Sequence, residues 1–248
     1  MAQIFRPNAN TLSRASLFCL IAFPAALVMA GSAITRSSYN TKVEVPFEQP
    51  VPFSHQHHAA ELGIDCRYCH TTVEKSSFAG MPATETCMTC HSQIWTNSPL
   101  LEPVRQSYQT NTPIEWTRLN HLPDFVYFNH SIHINRGINC NVCHGPVQKM
   151  QLAYKGKAFF MYWCLDCHRK PEKALYQDPT RKDLTPREQV FNFYTKYQEG
   201  TATSPREVAL LAGKDYKPSV QELQEGKALV DKLHIKTKQL ADCWICHR

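Results

Sequence analysis

Apolar and polar positions divide this chain into three unequal parts. Residues 15–33, from Ala15-Ser16-Leu17-Phe18-Cys19 to Gly31-Ser32-Ala33, carry no charge, while Arg6, Arg14 and Arg36 flank them. An uncharged run of about 19 residues is just long enough to cross a bilayer as one helix, and membrane helices tolerate an internal proline such as Pro24. A cleaved signal peptide gives the same pattern, with Val28-Met29-Ala30 suiting a peptidase; a retained anchor is the expectation. Residues 34–52 hold Pro46, Pro50 and Pro52 without helical period, and read as an extended leash that sets the body off from the bilayer. Residues 92–119, with Trp95, Tyr108 and Trp116, read as irregular chain. Residues 170–242 are rich in Lys and Glu and hold three helix starts: Thr185-Pro186-Arg187-Glu188, Ser204-Pro205-Arg206-Glu207 and Ser219-Val220-Gln221-Glu222. Each is a capping-box pattern. The last predicts a helix over about 220–233 with Val220, Leu223, Val230 and Leu233 near one face.

Cysteine placement changes the picture. Of 11 Cys, ten fall into five copies of Cys-x-x-Cys-His: Cys66/Cys69/His70, Cys87/Cys90/His91, Cys140/Cys143/His144, Cys164/Cys167/His168 and Cys243/Cys246/His247. This is the spacing of covalent c-type haem attachment, in which two thiols add to the haem vinyl groups and the adjoining imidazole binds iron. A random chain of this composition would show about 0.02 such matches. A single pair could equally be half a zinc site or a redox disulfide; five pairs each followed by His exclude that reading. Only Cys19 remains, so no disulfide framework is available, and within its apolar run it reads as filler rather than a lipid-anchored residue.

Five flat, mostly apolar macrocycles would supply core volume, which explains why apolar residues are only 43% of 248. The expected fold is therefore mostly irregular and α-helical, a multihaem cytochrome c body organised around five haem c groups, with one N-terminal transmembrane helix. The formal charge of +6 is offset by the haem propionates. Lys and Arg are scattered rather than striped with aromatics, so nucleic acid is not an expected partner.

A two-part repeat surrounds four of the motifs. Phe53-Ser54-His55-x-x-His58 precedes Gly63-Ile64-Asp65-Cys66, and Phe128-Asn129-His130-x-x-His133 precedes Gly137-Ile138-Asn139-Cys140. Haem iron with its motif His has one free axial position, so His55 and His58 cannot serve the same iron. Two haems must approach one short segment, and the same holds for His130 and His133. His121 is chosen as the fifth distal ligand because it sits among apolar residues just before the second repeat. Met161, Met81, His57 and His234 are the possible substitutes. The chain then divides into a cytoplasmic N-terminus (1–14), anchor (15–33), linker (34–52), first dihaem module (53–119), second dihaem module (120–169) and helical C-terminal region with the fifth motif (170–248).

The run from Gln49-Pro50-Val51-Pro52-Phe53 through Cys66-Arg67-Tyr68-Cys69-His70, with His121-Leu122-Pro123-Asp124-Phe125-Val126-Tyr127-Phe128-Asn129-His130, resembles the pentahaem membrane-anchored cytochrome c subunit of alternative complex III. Each Phe-x-His-x-x-His unit is also similar to class III cytochromes, the cytochrome c3 and c7 group. The resemblance implies a quinol-oxidising respiratory or photosynthetic complex in which an iron-sulfur subunit feeds these haems. They in turn would reduce a soluble cytochrome-like acceptor or a terminal oxidase. It also leaves a Met ligand open for one haem. Haem attachment places the body on the periplasmic side of a bacterial cytoplasmic membrane, and no catalytic site is expected in the chain. Two other functions compete: a multihaem reductase with one open iron, and a stand-alone quinol dehydrogenase like the small anchored tetrahaem cytochromes. Seven His outside the motifs for five irons favour the relay.

Overall fold

The computed structural model describes residues 5–247, which separate into two units at Val43/Glu44. The first is dominated by the helix Ala9–Arg36, 28 residues with a mean hydropathy of 2.3 over its most apolar window. At 1.5 Å per residue it is about 42 Å long, enough for a bilayer core of about 30 Å. A signal sequence would satisfy the same test. The helix exceeds the expected 15–33 at both ends, Pro24 is accommodated inside it, and a turn at Ser38–Thr41 follows.

The second unit begins inside the expected leash. Pro46 pairs with Tyr154 in an isolated antiparallel bridge, the Glu44 amide donates to Lys155 O, and the Gln49 side chain makes two hydrogen bonds to the Thr117 backbone. Residues 44–49 are thus tied down, and the chain without such ties is much shorter than 34–52.

Among the described residues the body has helices and irregular chain but no strand ladder. All three capping boxes form, opening the helices Pro186–Gln198, Pro205–Leu211 and Val220–Lys232. The last lies on the turn Pro171–Lys173 through Gly226, where an added Cβ would stand 2.2 Å from Glu172 O. Val220, at the start of this helix, is exposed. The stretch 92–119 also differs from expectation: Glu102–Thr110 is helical, buries Val104 and Ser107, and packs against Thr84–His91.

The helix Pro186–Gln198 organises the protein core. Val190 and Phe191 cluster with Val73 and Ile134; Phe193 and Tyr194 cluster with Leu211; Cys66 and Cys140 pack against both groups. Eleven apolar side chains are buried among the described residues, too few to hold a body of this size by themselves. Tyr194 Oη donates to Asn141 Oδ1 at 2.9 Å, and Asn141 Nδ2 donates to Leu210 O, which fastens the C-terminal helices to the third motif.

Lys196 Nζ donates to buried Asp178 (2.8 Å) and buried Glu207 (2.5 Å). Burial pushes the Asp178 carboxyl up, but hydrogen bonds from Lys196 and Thr180 outweigh it and leave the group below its ordinary value. A lowered carboxyl contributes stability that is complete above its unfolded-state value and lost as pH falls through the folded one. Replacing Lys196 with Met strands two buried carboxylates and is expected to cost about 3–5 kcal/mol, read as a fall in melting temperature at neutral pH.

Candidate haem-binding sites

The repeated Gly-Ile-Asx-Cys element is two helix signals back to back. In the second repeat His130–Asn135 is an α-helix closed by Gly137 at φ 84°. The Gly137 amide donates to Ile134 O and the Ile138 amide to His133 O, the paired bonds of a Schellman stop. Asn139 then caps the next turn, its side chain accepting from the Asn141 amide. Asp65 does the same for Cys66–Cys69 through the Arg67 amide. The first repeat has one more residue between its second His and its Gly, and the chain absorbs it by widening Gln56–Glu61 into a π-helical turn. Every Cys-x-x-Cys pair therefore lies on a helical turn that brings both thiols to one side.

The Phe that opens each repeat clamps both imidazoles behind it. Phe53 stacks on His58 (4.4 Å, 25°) and meets His55 edge-on (4.9 Å, 89°); Phe128 does the same to His133 (4.5 Å, 27°) and His130 (4.8 Å, 90°). The repeats also brace each other. The Gln56 amide donates to Met150 O, six residues after His144, and the Ser131 amide donates to Ser76 O, six residues after His70. Each distal segment thus docks on the loop behind the other repeat's first motif.

Three distal imidazoles face motif imidazoles: His58 and His91 at 6.2 Å between ring centres, His130 and His144 at 6.2 Å, His133 and His168 at 6.1 Å. An imidazole nitrogen binds a metal at about 2.0–2.1 Å, so two rings sharing one ion from opposite sides have centres about 6.3–6.5 Å apart. Burial first, then the charges of His70, His58 and His144, lower His55 to about 4. Burial first, then His130 and His70, likewise bring His144 to about 4. Both rings are neutral at pH 7 and keep a lone pair.

That lone pair is aimed by the other nitrogen. Nδ1–H donates to a backbone carbonyl in His58 (Ser54), His70 (Gly80), His91 (Ile94), His130 (Ser77), His133 (Asn129), His168 (Leu240) and His247 (Phe125), at 2.7–3.2 Å. This leaves Nε2 free, as ligating histidines require. For His144 the neighbour is the Asn120 amide at 3.0 Å, and Asn120 Oδ1 is otherwise buried without a partner. Half a turn of that amide gives His144 Nδ1–H its acceptor. His55 is the exception, its Nδ1 buried and unpartnered. Burial first raises Cys66 and Cys143 to about 12 and Cys167 to about 11, so these thiols are neutral. Among the described residues no three His, Cys, Asp or Glu converge on a single metal position. The donor set fits haem.

His121 is exposed, its Nε2 4.0 Å from Asp124, and among the described residues no ring partner is found for it. It lies four residues before Phe125, whose ring and carbonyl both contact His247. Met81 and Met161 are exposed. His57 binds Glu61 at 3.0 Å and lies parallel to Trp95, and His234 follows the Val220–Lys232 helix at φ 51°. Sequence reasoning missed Asn120 and the bracing carbonyls of Ser76, Ser77 and Met150. It also missed Gly156, where a Cβ would stand 2.3 Å from the His144 carbonyl carbon. The two clamping Phe residues were visible in the repeat without their purpose.

Residues 51–101 and 126–192 match the family described as cytochrome c7 and related cytochrome c. The matched segments hold both distal His pairs and the first four motifs. The chain is also 30% identical over 164 residues to the menaquinone reductase multihaem cytochrome c subunit of Nitratidesulfovibrio vulgaris, which covers 58% of this chain and 76% of that protein. The chain belongs to the cytochrome c7-related multihaem c-type cytochromes. Membership implies haem c and electron transfer. Within such a cytochrome, Asn120→Leu is expected to raise the midpoint potential of one haem by removing the acceptor for His144 Nδ1–H, and Asn120→Asp to lower it; potentiometric titration of the visible bands measures both.

Proposed function

We propose that this chain is a membrane-anchored pentahaem cytochrome, its body on the periplasmic side of a bacterial cytoplasmic membrane, that relays single electrons inside a quinone-linked complex. Cys66, Cys69, Cys87, Cys90, Cys140, Cys143, Cys164, Cys167, Cys243 and Cys246 hold five haems, and His70, His91, His144, His168 and His247 are the proximal ligands. His55, His58, His130 and His133 are the distal ligands, opposite His70, His91, His144 and His168. His121 completes the fifth site, because Phe125 and Tyr127 hydrogen-bond His247 and Cys246 only a few residues further on. Bound haem supplies the one-electron iron couple. The chain's own residues hold the imidazoles in place through Nδ1, exclude water with Phe53 and Phe128, and close the axial faces.

The observation that carries this reading is the set of facing imidazoles at 6.1–6.2 Å with Nδ1 already held. A reductase needs an axial face open to substrate, and three of the motif imidazoles already have another imidazole opposite them. The chain's part in the complex is electron transfer rather than substrate turnover.

The resemblance to the alternative complex III subunit supports a quinol-oxidising complex, with an iron-sulfur protein as donor and a soluble cytochrome or terminal oxidase as acceptor. The N. vulgaris relative, a menaquinone reductase subunit by name, supports a second reading in which electrons flow toward quinone. Purification of the native complex from membranes separates them: quinol should reduce the haems and an added acceptor cytochrome in the first case, and reduced haems should drive menaquinone reduction in the second. His58→Ala, His130→Ala and His133→Ala are each expected to keep five attached haems while turning one iron high-spin by EPR. A wholly low-spin spectrum in any of them removes that residue from the ligand set.

A further inference from the structure

Numbering the motifs 1 to 5 along the chain, at Cys66, Cys87, Cys140, Cys164 and Cys243, we propose that the attachment sites form one unbranched series in the spatial order 2–1–3–4–5. The inference rests on the pentahaem reading. Its point is that motif 2 is an end of the relay and not a step between motifs 1 and 3.

Sites 2 and 1 are joined directly: Tyr68 Oη, inside motif 1, is 2.8 Å from Thr89 Oγ1, inside motif 2. The π-helical turn carries His58, which faces His91, and starts at His55. Site 1, in turn, meets site 3. Cys66 and Cys140 pack on the same buried residues of Pro186–Gln198. His130, which faces His144, takes its Nδ1 acceptor from Ser77 in the loop behind motif 1. Sites 3 and 4 share the His130–Asn135 helix, and His144, Phe159 and Trp163 form an aromatic path into the helix of motif 4 at 6.4 and 5.8 Å. Site 4 reaches site 5 through Leu240, whose carbonyl accepts from His168 Nδ1, three residues before Cys243. The short helix Thr237–Leu240 packs on Met161–Arg169.

At the two ends Cys90 and Cys243 are exposed, beside exposed Trp95 and Trp244. Electrons would enter at one of these ends and leave at the other, whichever way the complex runs.

The test uses the full-length holoprotein. Intact mass counts the thioether-bound haems, and anomalous diffraction at the iron edge locates the irons. The expected result is five haems, with the irons of sites 2 and 5 each having one close neighbour, and the site 1 iron lying between those of sites 2 and 3. Five haems with the site 2 iron nearer to site 3 than the site 1 iron is, or with any iron having three close neighbours, would overturn the series alone. Fewer than five attached haems would overturn the pentahaem reading and the series with it.

Discussion

An imidazole has two nitrogens, and it can present one to a metal in a fixed direction only when the other is held. Seven of the ring histidines named above hand Nδ1–H to a main-chain carbonyl. The rest of the local structure follows from supplying those carbonyls. His58 and His133 use the carbonyl one helical turn back, at Ser54 and Asn129, so helicity itself aims them. His70, His130 and His168 reach beyond their own turn, and the loops that serve them must stay fixed. A body with few buried side chains is ordered in this way around rings that point inward.

The two repeats share this task across a near-symmetric contact. Each contributes the loop on which the other's distal segment rests, through Met150 and Ser76, so neither module is complete alone. The helix Pro186–Gln198, which belongs to neither repeat, lies where they meet and receives both Cys66 and Cys140. The symmetry is broken at one atom: His130 has Ser77 O behind it, whereas His55 has no acceptor. Hydrogen bonding at the outer nitrogen raises the basicity of a ligating imidazole, so haems bound at these two positions would differ in electronic character.

Much of the candidate site is legible in residue spacing, because Cys-x-x-Cys-His and the paired His are local patterns tied to a cofactor's fixed valence. The capping boxes at Thr185, Ser204 and Ser219 were equally plain, since a cap is settled within four residues. The docked leash was not, because Gln49 finds Thr117 and Pro46 finds Tyr154 far along the chain. Nor was the role of Gly226, whose meaning depends on a close approach by Glu172. The helix Glu102–Thr110 was read as irregular because its apolar positions are few, and its packing on Thr84–His91 decides the outcome.

The exchange of loops between the repeats also bears on how such a chain is made. The carbonyl of Met150, on which the first distal segment rests, does not exist until most of the second repeat has been translated. Until then the first distal segment, with His55 and His58, lacks the contact that braces it, so the first half takes its final form only after the second has arrived.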